Sequence, residues 1–173
     1  MIRLIIWRHA RTEWNHVGRV QGQLDIDLDD IGVAQAAEAV AALTGQQVEL
    51  DPRLRERDYG PWQGLTQADI RAGYPADFDR WGTAQPLRVP SIETSERLGE
   101  RAGAAFRDAA RRVGSAGTAL VVTHGGTARA GCAAMLGWPV SHWHTLGALW
   151  NCRRTELVHT VARGWQMHAH NVP

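Results

Sequence analysis

The first apolar run is short and dense. Ile2, Leu4, Ile5, Ile6 and Trp7 put large side chains at almost every position before the run stops at Arg8-His9. A buried strand of a parallel sheet reads as such a run of about 4 to 8 residues. Thr12 and Asn15 follow in a polar stretch. A second run, Ala119-Leu120-Val121-Val122-Thr123, also stops at a histidine, His124, ahead of Gly125-Gly126-Thr127. Sites in open α/β sheets lie just beyond the carboxyl ends of the strands. If the two strands are neighbours, His9 and His124 face one crevice, with Arg8 beside them.

Between these runs the pattern is mostly helical. Gly18 to Leu28 is polar and glycine-punctuated, so a loop is expected. Asp29 or Asp30 can cap a helix running through Ala34, Ala37, Val40, Ala41 and Leu43 to a stop at Gly45. Val48-Glu49-Leu50 is a brief strand candidate, and Asp51 to Gly60 a charged loop. Thr66 to Ala72 predicts a short helix. Tyr74 to Pro90 carries prolines 75, 86 and 90, which predict irregular structure or short helical turns. Thr94 or Ser95 caps a long helix with Leu98, Ala102, Ala105, Phe106 and Ala109 on one face. Glu96 and Glu100 sit near its N-terminal end, where the helix dipole favours them.

A small-residue helix, Ala128 to Leu136, is stopped by Gly137 and Pro139. Leu146 to Thr160 and Gly164 to His170 read as strands about a turn at Gly164. No repeat, linker or low-complexity tract divides the chain, so residues 1–173 are expected to form one domain. Strands alternating with helices predict an α/β fold, a mainly parallel sheet with helices on both faces.

Composition changes this picture in three ways. The 173 residues carry a net charge of +1, with 44% hydrophobic and 21% charged residues, so no charge excess points to nucleic acid or a membrane surface. All 19 basic residues are arginine, so a phosphate-binding cation must be Arg or His. Two isolated cysteines, Cys132 and Cys152, make no disulfide framework. Leu4 to Trp7 is too short for a signal-peptide core, and no apolar run approaches the roughly 18 residues of a membrane span. A cytoplasmic protein is the expectation, and a homodimer stays open.

Neutral imidazole is a competent nucleophile toward phosphorus. A transferred phosphoryl group carries negative charge and needs cations and hydrogen-bond donors around it. Arg8, a protonated His124, Asn15 and the backbone N–H of Gly125 or Gly126 could supply them. The leaving oxygen needs a proton and a later water needs a base, a pair of roles for one carboxyl, with Glu56 the candidate. A carbonyl or carboxylate on His9 Nδ1 would fix its tautomer and leave Nε2 to attack.

Four blocks then carry a resemblance. Arg8-His9-Ala10-Arg11-Thr12 with Asn15, Gly18-Arg19-Val20-Gln21-Gly22, Leu54-Arg55-Glu56 through Leu65, and Val122-Thr123-His124-Gly125 together resemble the histidine phosphatase superfamily. That superfamily includes cofactor-dependent phosphoglycerate mutases and small-molecule phosphatases. The resemblance implies a phosphoglycerate mutase-like fold and a phosphohistidine nucleophile at His9. It implies a phosphate-pocket arginine at Arg8, a second histidine at His124 and a proton donor at Glu56. Thr12, Asn15, Gln21, Gly22 and Gly125 fall at phosphate-binding positions. No metal and no cofactor are implied, and the partner is a small phosphorylated metabolite.

Two departures stand out. The usual Arg-His-Gly is Arg-His-Ala, so Ala10 must keep an ordinary backbone conformation. More seriously, a block carrying a strand and a second phosphate-binding arginine has no counterpart. The chain passes from what looks like the first helix of the family, Gly32 to Ala36, straight into what looks like the end of the next, Ala37 to Gly45. Either the numbering skips a segment or the chain lacks it. In the second case Arg11, Arg53, Arg55 and Arg57 are the substitutes to weigh.

Plainer readings stand beside the chemical ones. Asn15 can be a helix cap, Gln21 and Gly22 a turn, and Glu56 a surface ion pair. His142 with His144, and His168 with His170, share strand-like spacing, but nothing nearby completes a metal site. Trp62 and Trp81 can line a substrate pocket or simply pack, within a Gln63 to Pro90 region that should set specificity. Hydrolysis of a phosphomonoester is the expected activity. A phosphoglycerate mutase is the alternative, and a catalytically weak phospholigand-binding homologue is a third reading if the second arginine is truly absent.

Overall fold

The computed structural model describes residues 1–40 and 49–173, with the backbone alone over residues 36–40. β1 (Ile2–Arg8) is an inner strand of a four-stranded sheet ordered β2-β1-β3-β4, with β2 at Thr118–Thr123, β3 at Arg154–Thr160 and β4 at Gly164–Val172. β1 and β2 pair in parallel, from Arg3 opposite Thr118 to Arg8 opposite Thr123. β3 is antiparallel to both β1 and β4. Three of the four strands therefore run the same way, and the α/β expectation of a mainly parallel sheet holds in that sense. The reversed strand has a local cause: β3 and β4 are joined by residues 161–163, and a connection that short can only link antiparallel strands.

The register of β1 on β2 places the site. Since Arg8 stands opposite Thr123, the next residues, His9 and His124, leave adjacent strands at the same level. The His9 N–H still donates to the Thr123 carbonyl at 2.9 Å, so the pairing extends to the first histidine itself.

Alternate residues of the sheet face one core. Leu4 and Ile6 of β1, Ala119 and Val121 of β2 and Leu157 of β3 bury against Phe106, Ala128 and Cys132. Those three come from α5 (Ser95–Arg112) and α6 (Gly125–Met135). The Thr94 hydroxyl caps α5 by accepting from Arg97 N, and Glu96 and Arg111-Arg112 lie at the ends that the dipole favours. Small residues let the two helices approach closely; a Cβ on Gly131 would fall 2.4 Å from the Phe106 ring. Among the described residues, helix cover is uneven between the two faces. Opposite α5 and α6, Leu120 and Val122 stay 36% and 54% exposed.

A second apolar cluster, Val20, Trp62, Ile70 and Ile92, stands beside the strand ends. α3 (Gln67–Gly73) and α4 (Pro75–Gly82) frame it. Of the irregular structure or short helical turns expected from Tyr74 to Pro90, α4 is a short helix. Pro75 occupies the first helical turn, where a missing N–H costs no bond, so it starts a helix instead of breaking one. Trp62 is fully buried in this cluster, so it packs and does not line a pocket.

Two helical segments lie where no element was expected, and one expectation is corrected. Thr12 caps a short helix, α1 (Glu13–Val17), that the polar pattern did not announce. A 3-10 helix occupies Val140–Thr145. Leu146 to Arg153 is not strand; β3 starts at Arg154, and Cys152 has φ +53°. That segment folds back on the end of β1, where the Leu149 carbonyl accepts from Arg8 Nη1 at 2.8 Å and Cys152 N–H donates to the Arg8 carbonyl.

α2 (Asp30–Val40) crosses the Ala36 junction as one unbroken helix. The helix stop expected at Gly45 and the start of the strand expected at Val48 lie outside the described residues; Glu49 and Leu50 are not in a strand. Among the described residues no helix is long and apolar enough to cross a membrane.

Candidate active site

His9 and His124 meet edge to face, with ring centroids 4.7 Å apart and planes at 65°. His9 Nδ1 lies 2.7 Å from the Ala10 carbonyl. A carbonyl can only accept, so the proton sits on Nδ1 and the Nε2 lone pair is free. Ala10 is buried and is not among the residues with positive φ, so the backbone there is ordinary and the missing glycine costs nothing. Burial pushes the His9 imidazole down to about 4, helped by the charge that His124 would carry; the Ala10 hydrogen bond and Glu56 only partly oppose this. Burial also lowers His124, against the pull of Glu56. Both rings are therefore neutral at pH 7, and His9 is a ready nucleophile.

Arg8 lies beside the two rings with Nη1 bound to the Leu149 carbonyl, while its buried Nε has no partner among the described residues. Its guanidinium packs over Gly125, where a Cβ would stand 3.4 Å from Cζ. Glu56 reaches the N-terminus of α6. Its carboxylate accepts from Gly126 N at 2.9 Å and from Thr127 N at 3.0 Å, as well as from the Thr127 hydroxyl and Arg57 N. A Cβ at position 126 would sit 2.6 Å from Glu56 Oε1 and push the carboxylate off this seat. The Gly-Gly after His124 thus seats Arg8 on one glycine and Glu56 on the other.

Two cavities share these groups, of about 250 Å³ and 360 Å³, and His9, Gln21, Gly22, Glu56 and His124 line both. Thr12 lines the smaller, on the side of the Gln23 to Leu28 loop. Arg8 and Asn15 line the larger, with Trp14, Tyr59 and Trp81 as aromatic walls. Gly125 lines neither and acts through the seat it gives Arg8. Asn15 takes part in the α1 cap and also lines the larger cavity. Its Oδ1 closes the α1 capping box by accepting from Thr12 N, while the side chain still faces the larger cavity. Gln21 Oε1 accepts from the Thr12 hydroxyl, and Gly22 has φ +58°.

Asn151 has no signal in the sequence pattern. It lies in the segment read as strand, yet its Nδ2 donates to the His9 carbonyl at 3.0 Å and to Asn15 Oδ1 at 3.1 Å, tying the two ends of the site together. Gln67 and Arg19 also reach the larger cavity unannounced. Trp81 lines it as considered. Among the described residues no group of three or more His, Cys, Asp or Glu side chains gathers as a metal site.

Paired neutral imidazoles, a buried guanidinium and a carboxylate beyond the ends of parallel strands define an α/β enzyme of phosphoryl transfer from phosphomonoesters. The comparisons agree. The family model of the histidine phosphatase superfamily (branch 1) matches residues 4–47 and 35–173. The two matches overlap at the fused helix, as a chain lacking the block between them would show. A glucosyl-3-phosphoglycerate phosphatase of Mycolicibacterium vanbaalenii is 32% identical over 195 aligned positions, covering 94% of this chain and 87% of the relative. That alignment is longer than the 173-residue chain, so the relative carries residues absent here. Phosphoserine phosphatase 1 of Hydrogenobacter thermophilus is 30% identical, covering 85% and 82%. A mycobacterial glucosyl-3-phosphoglycerate phosphatase solved with VO3 superposes with a TM-score of 0.88 at 28% identity, covering 99% of each chain. The chain belongs to the histidine phosphatase superfamily, and it is a phosphatase of that superfamily.

Proposed function

We propose that the chain hydrolyses its phosphomonoester in two steps through His9. In the first, His9 Nε2 attacks phosphorus, the N–P bond forms and the ester P–O bond breaks. Glu56, protonated, gives its proton to the departing oxygen. In the second, water attacks phosphorus, Glu56 takes its proton, the N–P bond breaks and inorganic phosphate leaves. Arg8, Asn15 and Gln21 hold the phosphoryl oxygens, and His124 donates to them once it takes up a proton beside the developing charge. The observation that carries this reading is the His9 pair of contacts: Nδ1 committed to Ala10 and Nε2 free beside His124.

The larger cavity favours a substrate with a polyhydroxylated or acidic body. Trp14, Tyr59 and Trp81 offer flat faces, and Asn15, Gln67 and Asn151 offer amide donors and acceptors. That lining suits glucosyl-3-phosphoglycerate, the substrate for which the mycobacterial relatives are named, better than the smaller phosphoserine. Hydrolysis is preferred over a mutase reading because both cavities open on His9, leaving water free access to a phosphorylated ring.

The test is steady phosphate release from glucosyl-3-phosphoglycerate, phosphoserine and p-nitrophenyl phosphate in EDTA, with His9→Ala as control. Release that needs added metal, or that survives His9→Ala, would reject the mechanism. Faster turnover of phosphoserine than of the glucosyl ester would reject the substrate choice alone.

A further inference from the structure

A bound phosphate monoester brings close to two negative charges. Both imidazoles are neutral before it arrives, and among the described residues Arg8 is the buried cation placed beside them by β1. One guanidinium leaves about one charge uncompensated, and the block in which the resemblance places a second arginine is absent.

The arginines near the site sort clearly by what they already hold. Arg11 is paired with Asp29 at 2.7 Å. Arg53 is held between Asp51 and Asp108, both at 2.7 Å. Arg57 Nε is spent on the Glu93 carbonyl at 2.6 Å. Arg101 binds Glu93 and three backbone carbonyls. Arg19 reaches only the larger cavity and donates to the Gly64 carbonyl.

Arg55 differs from all of these. It lines the smaller cavity together with His9, Glu56 and His124, it is exposed, and among the described residues its side chain has no hydrogen bond or ion pair. Its backbone is nonetheless fixed. The Arg55 carbonyl accepts from Arg101 Nη1 and from the Thr127 hydroxyl, both at 2.7 Å. Those same two residues hold Glu56, through its carbonyl and its carboxylate. The guanidinium is thus a free fork on an anchored base, one residue from the carboxylate. Its charge already reaches His124, whose proton affinity it helps to lower.

We propose that Arg55 is the second phosphate-binding cation of this phosphatase, closing on the phosphoryl oxygens from the side opposite Arg8. The assignment rests on the phosphohydrolase reading above for its catalytic consequence, but not for anion binding itself. A planar fork suits two phosphoryl oxygens at once. Because Arg55 is exposed, its effect should fall below the roughly 10²- to 10³-fold of a buried oxyanion donor.

The test compares wild type, Arg55→Ala, Arg55→Lys and His9→Ala. Inorganic phosphate binding is followed by calorimetry, and p-nitrophenyl phosphate turnover is measured with and without added guanidinium. Arg55→Ala is expected to weaken phosphate binding and lower kcat/KM by roughly tenfold or more. Arg55→Lys or millimolar guanidinium should restore part of both. Phosphate affinity and kcat/KM within about twofold of wild type would overturn the assignment. So would a loss accompanied by a lower melting temperature that neither lysine nor guanidinium repairs, since that pattern marks a structural role. If wild type binds phosphate through Arg55 yet releases none from any ester, the hydrolase reading fails and the anion site stands.

Discussion

The ring of His9 meets that of His124 edge-on at 4.7 Å, close enough that a proton on either ring disfavours a proton on the other. Along with burial, this holds His9 near 4, well below the ordinary 6.5. An NMR titration should therefore place the His9 inflection at about 4, and His124→Gln should move it upward. An inflection at or above the ordinary imidazole value would reject the burial account. The sign for stability follows. Between about 6.5 and 4 the unfolded chain binds protons that the folded chain refuses. Stability therefore falls as pH falls across that window and levels off below it; denaturant midpoints at a series of pH values would show it.

Glu56 is expected to matter in proportion to how poor the leaving group is. p-Nitrophenolate leaves without help, whereas an alkoxide needs a proton, and general acids contribute about 10² to 10⁴. Glu56→Gln should cost an alkyl phosphate far more than p-nitrophenyl phosphate in the first step, read as burst kinetics. Gly126→Ala should mimic it, since the new Cβ would displace the carboxylate from its seat. Equal losses on both substrates would show that Glu56 acts only as a structural cap of α6.

Trp81 touches the Trp62 and Tyr59 rings edge-on while facing the larger cavity. Trp81→Ala should raise KM for the glucosyl ester several-fold and leave kcat on p-nitrophenyl phosphate nearly unchanged, because it removes binding far from the reacting atoms. An equal fall in kcat on both would place Trp81 in the chemistry instead.

The α5–α6 contact offers a test of the core. Phe106→Ala should destabilise by about 3–5 kcal/mol through the cavity it leaves. Gly131→Ala, whose Cβ would strike the Phe106 ring, should cost about 1–3 kcal/mol by overpacking. Urea unfolding of each, with wild-type phosphate binding retained in native buffer, is the measurement. Gly131→Ala at full stability would mean the helices can part more easily than this packing implies.

The sequence by itself determined the parts governed by local pattern. Two dense apolar runs ending in His9 and His124 specify strands and their carboxyl ends, because large and β-branched apolar side chains fit a pleated sheet. Thr66 and Thr94 specify helix starts, because a side-chain oxygen is needed where backbone donors have no partner. The Arg-His, Leu-Arg-Glu and Thr-His-Gly blocks held the candidate chemistry, since these residue types are kept together by what phosphorus requires.

Tertiary structure decided what depends on residues distant in the chain. Register, not pattern, brings His9 level with His124. Asn151 serves the site only because Leu149 to Cys152 folds across the end of β1, and its composition looked like strand. Trp62 and Trp81 were indistinguishable in the sequence until packing buried one and left the other at a cavity wall. The four candidate arginines also looked alike, and three already hold acceptors in the fold while Arg55 lines the smaller cavity. An arginine's role is set by which acceptors lie within its reach, and that is a property of the folded chain.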